Sequence, residues 1–167
     1  MITRRALLVA APVLGLSADA LARARDDRSI VTAAIDLEQR AAAAYDSAAT
    51  GGKLPPALAR LARHLRDQEE EHADGLARAL RGLGGHRPAR PEHQPTPPGG
   101  RAFGAFALAL ENRLIRAYYD AMPRLRPGLR QPLGSIMACE AQHLVALREA
   151  LGHDPLPRAF ETGAPSR

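Results

Sequence analysis

The sequence predicts an all-α fold, a four-helix bundle in which two helical hairpins are joined by a long crossover. Stretches rich in Ala and Leu, each of helical length, alternate with Gly- and Pro-rich breaks along the 167 residues. The longest of these breaks lies in the middle of the chain. Each half also carries the same order of glutamate and histidine residues, so the chain is expected to repeat one hairpin.

The first predicted element is an export signal of the twin-arginine type over residues 1–22. Arg4 and Arg5 precede an apolar segment at residues 6–16, an arrangement typical of a secretory signal. This segment is too short to cross a membrane as a helix, so we expect no stable membrane span. The Ala-x-Ala rule permits cleavage after Ala20 or after Ala22. The mature protein is therefore expected outside the cytoplasm, for example in the periplasm.

Four helices are expected next, in a bundle domain that spans residues 27–153 and has the size of a single domain. Glycines follow the first, second and fourth helices, and Pro123 follows the third, as expected for helix C-termini. Pro55 and Pro56 mark the beginning of the second helix. The predicted helices span residues 27–50, 56–81, 101–122 and 129–151.

The connection between the second and third helices, residues 83–100, is long and rich in Pro and Gly. A chain that returns along a helix of about twenty residues must cover about 30 Å. About fifteen extended residues reach roughly 50 Å, so this segment fits a crossover between two hairpins. The Pro-rich tail, residues 154–167, is predicted to be extended.

The candidate functional residues are four glutamates and two histidines. Two Glu-x-x-His pairs each follow a lone Glu on the preceding helix, which gives the order Glu38, Glu69, His72, Glu111, Glu140, His143. Residues three apart share a helix face, and the four glutamates lie at similar depths in their predicted helices, so they are expected in one layer. Buried carboxylates repel one another unless cations lie between them. We therefore predict a site for two divalent metal ions.

The surroundings of the two lone glutamates match as well. Glu38 and Glu111 are each followed seven residues later by a tyrosine, Tyr45 or Tyr118, on the same helix face. These tyrosines could hydrogen-bond a ligand carboxylate across the bundle or carry an electron, and a core Tyr with a satisfied hydroxyl is the plainer interpretation. Taken alone, the acidic run at residues 67–72 is also typical of a solvated helix face.

The order Glu, Glu-x-x-His, Glu, Glu-x-x-His resembles that of the ferritin-like di-iron and di-manganese carboxylate proteins. The resemblance implies a ferritin-like bundle with two Fe or Mn ions per chain. It also implies an oxidoreductase that acts on ferrous iron, peroxide or O2. The implied ligands form three pairs, which are the terminal glutamates, the bridging glutamates and the histidines: Glu38 and Glu111, Glu69 and Glu140, His72 and His143.

Composition narrows the other possibilities. The one cysteine, Cys139, excludes an intramolecular disulfide and is expected to be a small buried apolar residue. The net charge is +5, but the arginines are scattered along the chain, so nucleic acid is not an expected partner. The expected partners are metal ions and a small oxidant such as peroxide or O2. The sequence also leaves open whether the protein forms a homodimer. The alternative function is a metal-free four-helix binding module of the cell envelope.

Overall fold

The computed structural model describes residue 21, residues 26–92 and residues 96–163. In these ranges the chain forms four long helices: α1 (Asp27–Thr50), α2 (Pro56–Gly82), α3 (Arg101–Ala121) and α4 (Pro127–Ala150). A short 3-10 helix at Met122–Arg124 follows α3, and no strand occurs in the described part of the chain. The predicted all-α bundle is confirmed, and each helix begins and ends within two residues of its predicted bounds.

Local sequence explains the helix ends. Asp26 caps α1, because its carboxylate accepts a hydrogen bond of 3.0 Å from the backbone N–H of Ser29. The Ser29 side chain accepts from the Asp26 backbone N–H in return, which completes a capping box. Both α2 and α4 begin at a proline, whose missing N–H costs nothing in the first turn of a helix.

The helices pair as two hairpins, α1 with α2 and α3 with α4, and the crossover joins them. The crossover runs back along α2 from its end towards its beginning. Arg87 pairs with Asp74, Arg90 lies 3.1 Å from Glu70, and the Gly100 N–H donates to the Lys53 carbonyl at 3.1 Å. This return path is the one that a bundle with a single long crossover requires.

The core is built from Leu, Ala and Ile with few aromatic side chains. Small alanines on α1 and α2 are completely or almost completely buried, which lets these helices approach closely. Tyr45, Tyr118 and Phe103 are the largest fully buried side chains among the described residues. Each fully buried leucine contributes about 1.5–3 kcal/mol. This apolar packing holds the four helices rigidly around a polar layer at mid-height.

The chain on either side of the bundle packs against it where it is described. Residues 154–163 contain no helix or strand and return to α4, where the Arg148 guanidinium lies 2.7 Å from the Glu161 carboxylate. Leu21 is fully buried in the core. The rest of the predicted export signal, residues 1–20 and 22, lies outside the described residues. None of the helices in the described ranges is both long enough and apolar enough to cross a membrane.

Candidate metal centre

The six residues singled out in the sequence come together at the centre of the bundle. Every helix contributes one glutamate, and α2 and α4 each add a histidine one turn later. All four carboxylates are 0% exposed, which places them in one buried layer. The residues are Glu38 on α1, Glu69 and His72 on α2, Glu111 on α3, and Glu140 and His143 on α4.

One group of possible ligands surrounds His72. Its Nδ1 atom lies 3.0 Å from Oε1 of Glu140, 3.3 Å from Oε2 of Glu69 and 3.6 Å from Oε2 of Glu38. These three oxygens come from three different helices. Within the group, one atom from each residue lies within 4.8 Å of every other, as donors around a single ion must.

A second group surrounds His143 in the same way. Its Nδ1 atom lies 3.0 Å from Oε2 of Glu140 and 3.4 Å from both Oε1 of Glu69 and Oε2 of Glu111. The donor atoms of this group also lie within 4.8 Å of one another. The repeat that is visible in the sequence is therefore present in space as two similar groups.

The two groups share two glutamates. Glu69 and Glu140 each direct one carboxylate oxygen towards His72 and the other towards His143. The two imidazole rings are nearly parallel, with centroids 5.9 Å apart. The two positions therefore lie side by side and share a pair of carboxylates.

Two tyrosines hold the unshared carboxylates from across the bundle. Tyr45 on α1 donates its hydroxyl hydrogen to Oε1 of Glu111 on α3, and Tyr118 on α3 donates to Oε1 of Glu38 on α1. In both glutamates the other oxygen faces the histidine of its group. Burial and the adjacent carboxylates raise the pKa of both tyrosines, so each hydroxyl stays protonated as a donor.

The pKa values of Glu69, Glu111 and Glu140 are shifted in different directions. Burial and the neighbouring carboxylates raise the pKa of Glu69, and burial raises the pKa of Glu111 to about 8 despite its contact with His143. Burial acts in the same direction on Glu140, but the contacts with His143 and His72 outweigh it and lower its pKa to about 2. The side chains by themselves therefore retain protons that ordinary carboxylates release.

The histidines show the complementary effect. Burial disfavours their charged form, yet the Cys139 thiol and the surrounding carboxylates raise the pKa of both His72 and His143 well above the usual range. A cation is therefore favoured at both positions. A proton on each imidazole supplies part of this positive charge, and a metal ion would supply it in place of the proton.

Several buried atoms of the cluster lack a hydrogen-bond partner in the described part of the chain. These atoms lie close together but are not aligned to form hydrogen bonds. Each unsatisfied atom lowers the stability of the fold by about 1–3 kcal/mol. The orphaned atoms are Oε2 of Glu38, Oε1 of Glu69, Oε2 of Glu111, both carboxylate oxygens of Glu140 and Nδ1 of His143. Because they converge, metal ions would satisfy them together, and their mixture of carboxylate and imidazole donors suits Fe or Mn. The cluster is thus able to hold metal ions.

Two further residues contact the histidines and were not identified in the sequence as part of the site. Oε1 of Gln68 lies 2.9 Å from Nε2 of His143, and Sγ of Cys139 lies 3.6 Å from the same nitrogen. Cys139 was expected to be a buried apolar residue. Instead it is half-buried and lies beside both histidines, His143 one turn further along α4 and His72 on the facing helix α2, and these contacts lower its pKa to about 7.

A signal for both residues was present in the repeat. Gln68 immediately precedes Glu69, and Cys139 immediately precedes Glu140, so they occupy the same position in the two hairpins. Side chains one residue before an inward-facing glutamate lie at the border of the buried layer. Positions that correspond in this way are therefore candidates for contact with the histidines.

Comparisons with known proteins agree with this architecture. The family model of the ferritin-like domain matches residues 26–153. No curated protein matches the chain. A solved structure of a conserved hypothetical protein from Mycobacterium tuberculosis is similar, with a TM-score of 0.66 at 16% identity, over 88% of this chain and 99% of that one. Such a likeness supports the fold alone, whereas the family model covers most of the sequence. The chain belongs to the ferritin-like domain family.

Proposed function

We propose that this protein is exported and binds a dinuclear Fe or Mn centre that performs redox chemistry on ferrous iron, peroxide or O2. One observation carries the proposal, namely that the two oxygens of Glu69 and of Glu140 face different histidines. Each of these carboxylates therefore has one oxygen available to each position. A carboxylate that bridges two ions through both of its oxygens has this arrangement.

The ligand roles follow from which group each residue joins. Glu38 and His72 would hold one ion, Glu111 and His143 would hold the other, and the two shared glutamates would contribute to both positions. Charge supports this assignment. Four carboxylates balance two divalent ions, so the loaded site is neutral and the cost of burying its charges is low.

The two ions, when bound, supply the redox electrons and the open coordination positions for a small oxidant. The protein provides the surroundings. Tyr45 and Tyr118 hold Glu111 and Glu38 in place, so these carboxylates do not have to reorient when an ion arrives. The apolar core around the layer limits access of water. An exported position favours ferrous iron or peroxide as the substrate.

The first test is elemental analysis of the protein purified after native export, beside a Glu69→Ala/His143→Ala double variant. We expect about two Fe or Mn ions per chain, absent from the variant. A Glu149→Ala/His153→Ala variant is the matched control, since it removes the same residue types from exposed positions at the end of α4. If the protein bound no stoichiometric metal after anaerobic loading with Fe(II) or Mn(II), the proposal would fail. A metal-free binding module of the envelope would then replace it.

Export and activity need separate tests. An Arg4→Lys/Arg5→Lys variant is expected to remain in the cytoplasm, which fractionation and mass measurement would reveal. The loaded wild-type protein is expected to consume peroxide or oxidise ferrous iron, and the double variant is expected not to. Protein that reaches the periplasm without Arg4 and Arg5 would contradict the export route and leave the metal assignment unaffected.

A further inference from the structure

A cavity of about 620 Å³ opens between α2 and α4, beside one of the two candidate metal positions. It exists because the side chains that line it are small where the helices face one another, notably Gly75 on α2 and Ser135 on α4. Pro132, a proline inside α4, lines the cavity as well. The result is a gap between α2 and α4.

The cavity reaches the centre on one side only. His72 lines it, and among the described residues that do so His72 is the only one of the six candidate ligands. The His72 side chain is accordingly 12% exposed, whereas that of His143 is 3% exposed. His143 is further held by Gln68. The two positions are similar in donor atoms but differ in access.

We propose that this cavity is the passage through which a hydrated divalent cation reaches and leaves the centre, and that it serves the His72 position. This inference rests on the proposed function. The ion between Glu38 and His72 is then exchangeable. An ion at the position between Glu111 and His143 would be retained, because Glu69 and Glu140 lie between that position and the cavity whether or not the first position is occupied.

Size and charge both fit a hydrated cation. Six coordinated waters occupy about 180 Å³ at about 30 Å³ each, well within the volume of the cavity. Carboxylates line the cavity at Glu71 and Asp74, and oxygen donors of this kind can replace the waters of the ion one at a time. Asp74 is already paired with Arg87, so Glu71 offers the more accessible carboxylate.

The structure offers a matched pair of variants for a test. At Gly75 an added Cβ would meet its nearest atom, the mobile end of the Arg78 side chain, at 3.6 Å. At Gly82, near the end of the same helix, an added Cβ would meet nothing within 4 Å among the described residues. The Cβ of a leucine at this position therefore meets no candidate ligand, and Gly75→Leu narrows the cavity. Gly82→Leu makes the same chemical change on the exposed end of α2.

The experiment loads the full protein anaerobically with Co(II), whose visible absorption reports its coordination, and then adds excess EDTA. We expect two phases of release, one ion fast and one slow. In Gly75→Leu the fast phase should slow by about tenfold or more, which corresponds to at least about 1.4 kcal/mol of added barrier. Rebinding should slow by the same factor, so the dissociation constant stays the same. Gly82→Leu should behave as the wild type.

A His72→Ala variant assigns the phases, since it should bind one Co(II) that leaves slowly. Release of both ions in one phase would overturn the proposal, and so would an unchanged fast phase in a folded Gly75→Leu variant that binds two ions. If Gly75→Leu did not fold, Ser135→Leu would replace it, with Gln142→Leu as the control. Both positions are exposed on α4, but of the two only Ser135 lines the cavity. Wild-type protein that binds no Co(II) would reject the proposed function itself, a distinct outcome.

Discussion

Oε1 of Gln68 lies 2.9 Å from Nε2 of His143, although the two residues are 75 positions apart in the sequence. A carbonyl oxygen can only accept a hydrogen bond, so Nε2 of His143 must carry a hydrogen. The other ring nitrogen, Nδ1, is then left to face the carboxylates of Glu69, Glu111 and Glu140. Gln68 thereby selects the nitrogen of His143 that can bind a metal ion.

Gln68→Leu should weaken metal binding at the His143 position by about 10–100-fold, because the ring loses the contact that orients it. A competition titration with a chelator of known affinity would measure this loss. Gln142→Leu, at an exposed position on α4, is the control and should bind as the wild type. Equal affinities in the Gln68→Leu variant and the control would show that Gln68 does not orient the ring.

Replacing a terminal ligand and a bridging ligand should have different consequences. Glu38→Ala removes a donor from the His72 group alone, so the protein should retain about one ion per chain. Glu140→Ala removes a donor from both groups and should abolish stoichiometric binding. Elemental analysis of the two variants would decide the matter. The same metal content in both would contradict the division into terminal and bridging glutamates.

The cross-bundle tyrosines should stabilise the fold as well as the site. Tyr45→Phe and Tyr118→Phe each leave a buried carboxylate oxygen without its donor, which should lower the free energy of unfolding by about 1–3 kcal/mol. Urea denaturation of the metal-free protein would measure this. Tyr119→Phe is the control, since Tyr119 is 49% exposed, and it should change little. A loss of the same size in that control would mean that the tyrosine–glutamate bonds are not the cause.

The stability of the metal-free protein should fall as the pH rises through neutrality. The pKa of Glu111 is raised from 4.5 to about 8, so its contribution is complete below pH 4.5 and is lost as the pH rises to about 8. The histidines act in the same direction, because their raised pKa values mean that their contribution is complete below pH 6.5 and declines above it. Glu140 has the opposite effect. Because its pKa is lowered to about 2, its contribution is complete above pH 4.5 and is lost as the pH falls towards 2.

Metal ions should reverse this trend. An ion must displace the protons that the cluster retains, so binding is opposed at low pH and favoured at high pH. The increase in Tm on adding Mn(II) should therefore be larger at about pH 8 than at about pH 5.5. Thermal unfolding with and without the ion at each pH would measure it. An increase in Tm that did not depend on pH, or that was larger at about pH 5.5, would contradict the conclusion that the metal-free cluster retains protons.

The two cleavage positions that the Ala-x-Ala rule permits would have different consequences for the core. Leu21 is fully buried in the core, and its carbonyl accepts a hydrogen bond of 3.1 Å from Arg124. Cleavage after Ala20 keeps these contacts, whereas cleavage after Ala22 removes them. We therefore expect the exported protein to begin at Leu21. Mass measurement of the intact mature chain would test this, and a chain that begins at Arg23 would contradict it.

Much of the fold could be predicted because its signals are local. Pro55 and Pro56 at the beginning of α2 and the glycines after the helices act within one helical turn. The repeated glutamates and histidines were equally visible, since a spacing of three residues defines a helix face without reference to any other helix.

The sequence by itself therefore determined which residues meet at the centre, through helix periodicity and an equal depth in each hairpin. Only the tertiary structure decided which oxygen of Glu69 faces which histidine, that Gln68 supports His143, and that Cys139 is half-buried. It also decided that the cavity opens beside His72 rather than His143. These features depend on the side chains that a neighbouring helix brings into contact across a long stretch of chain. Periodicity along one helix contains no information about that packing.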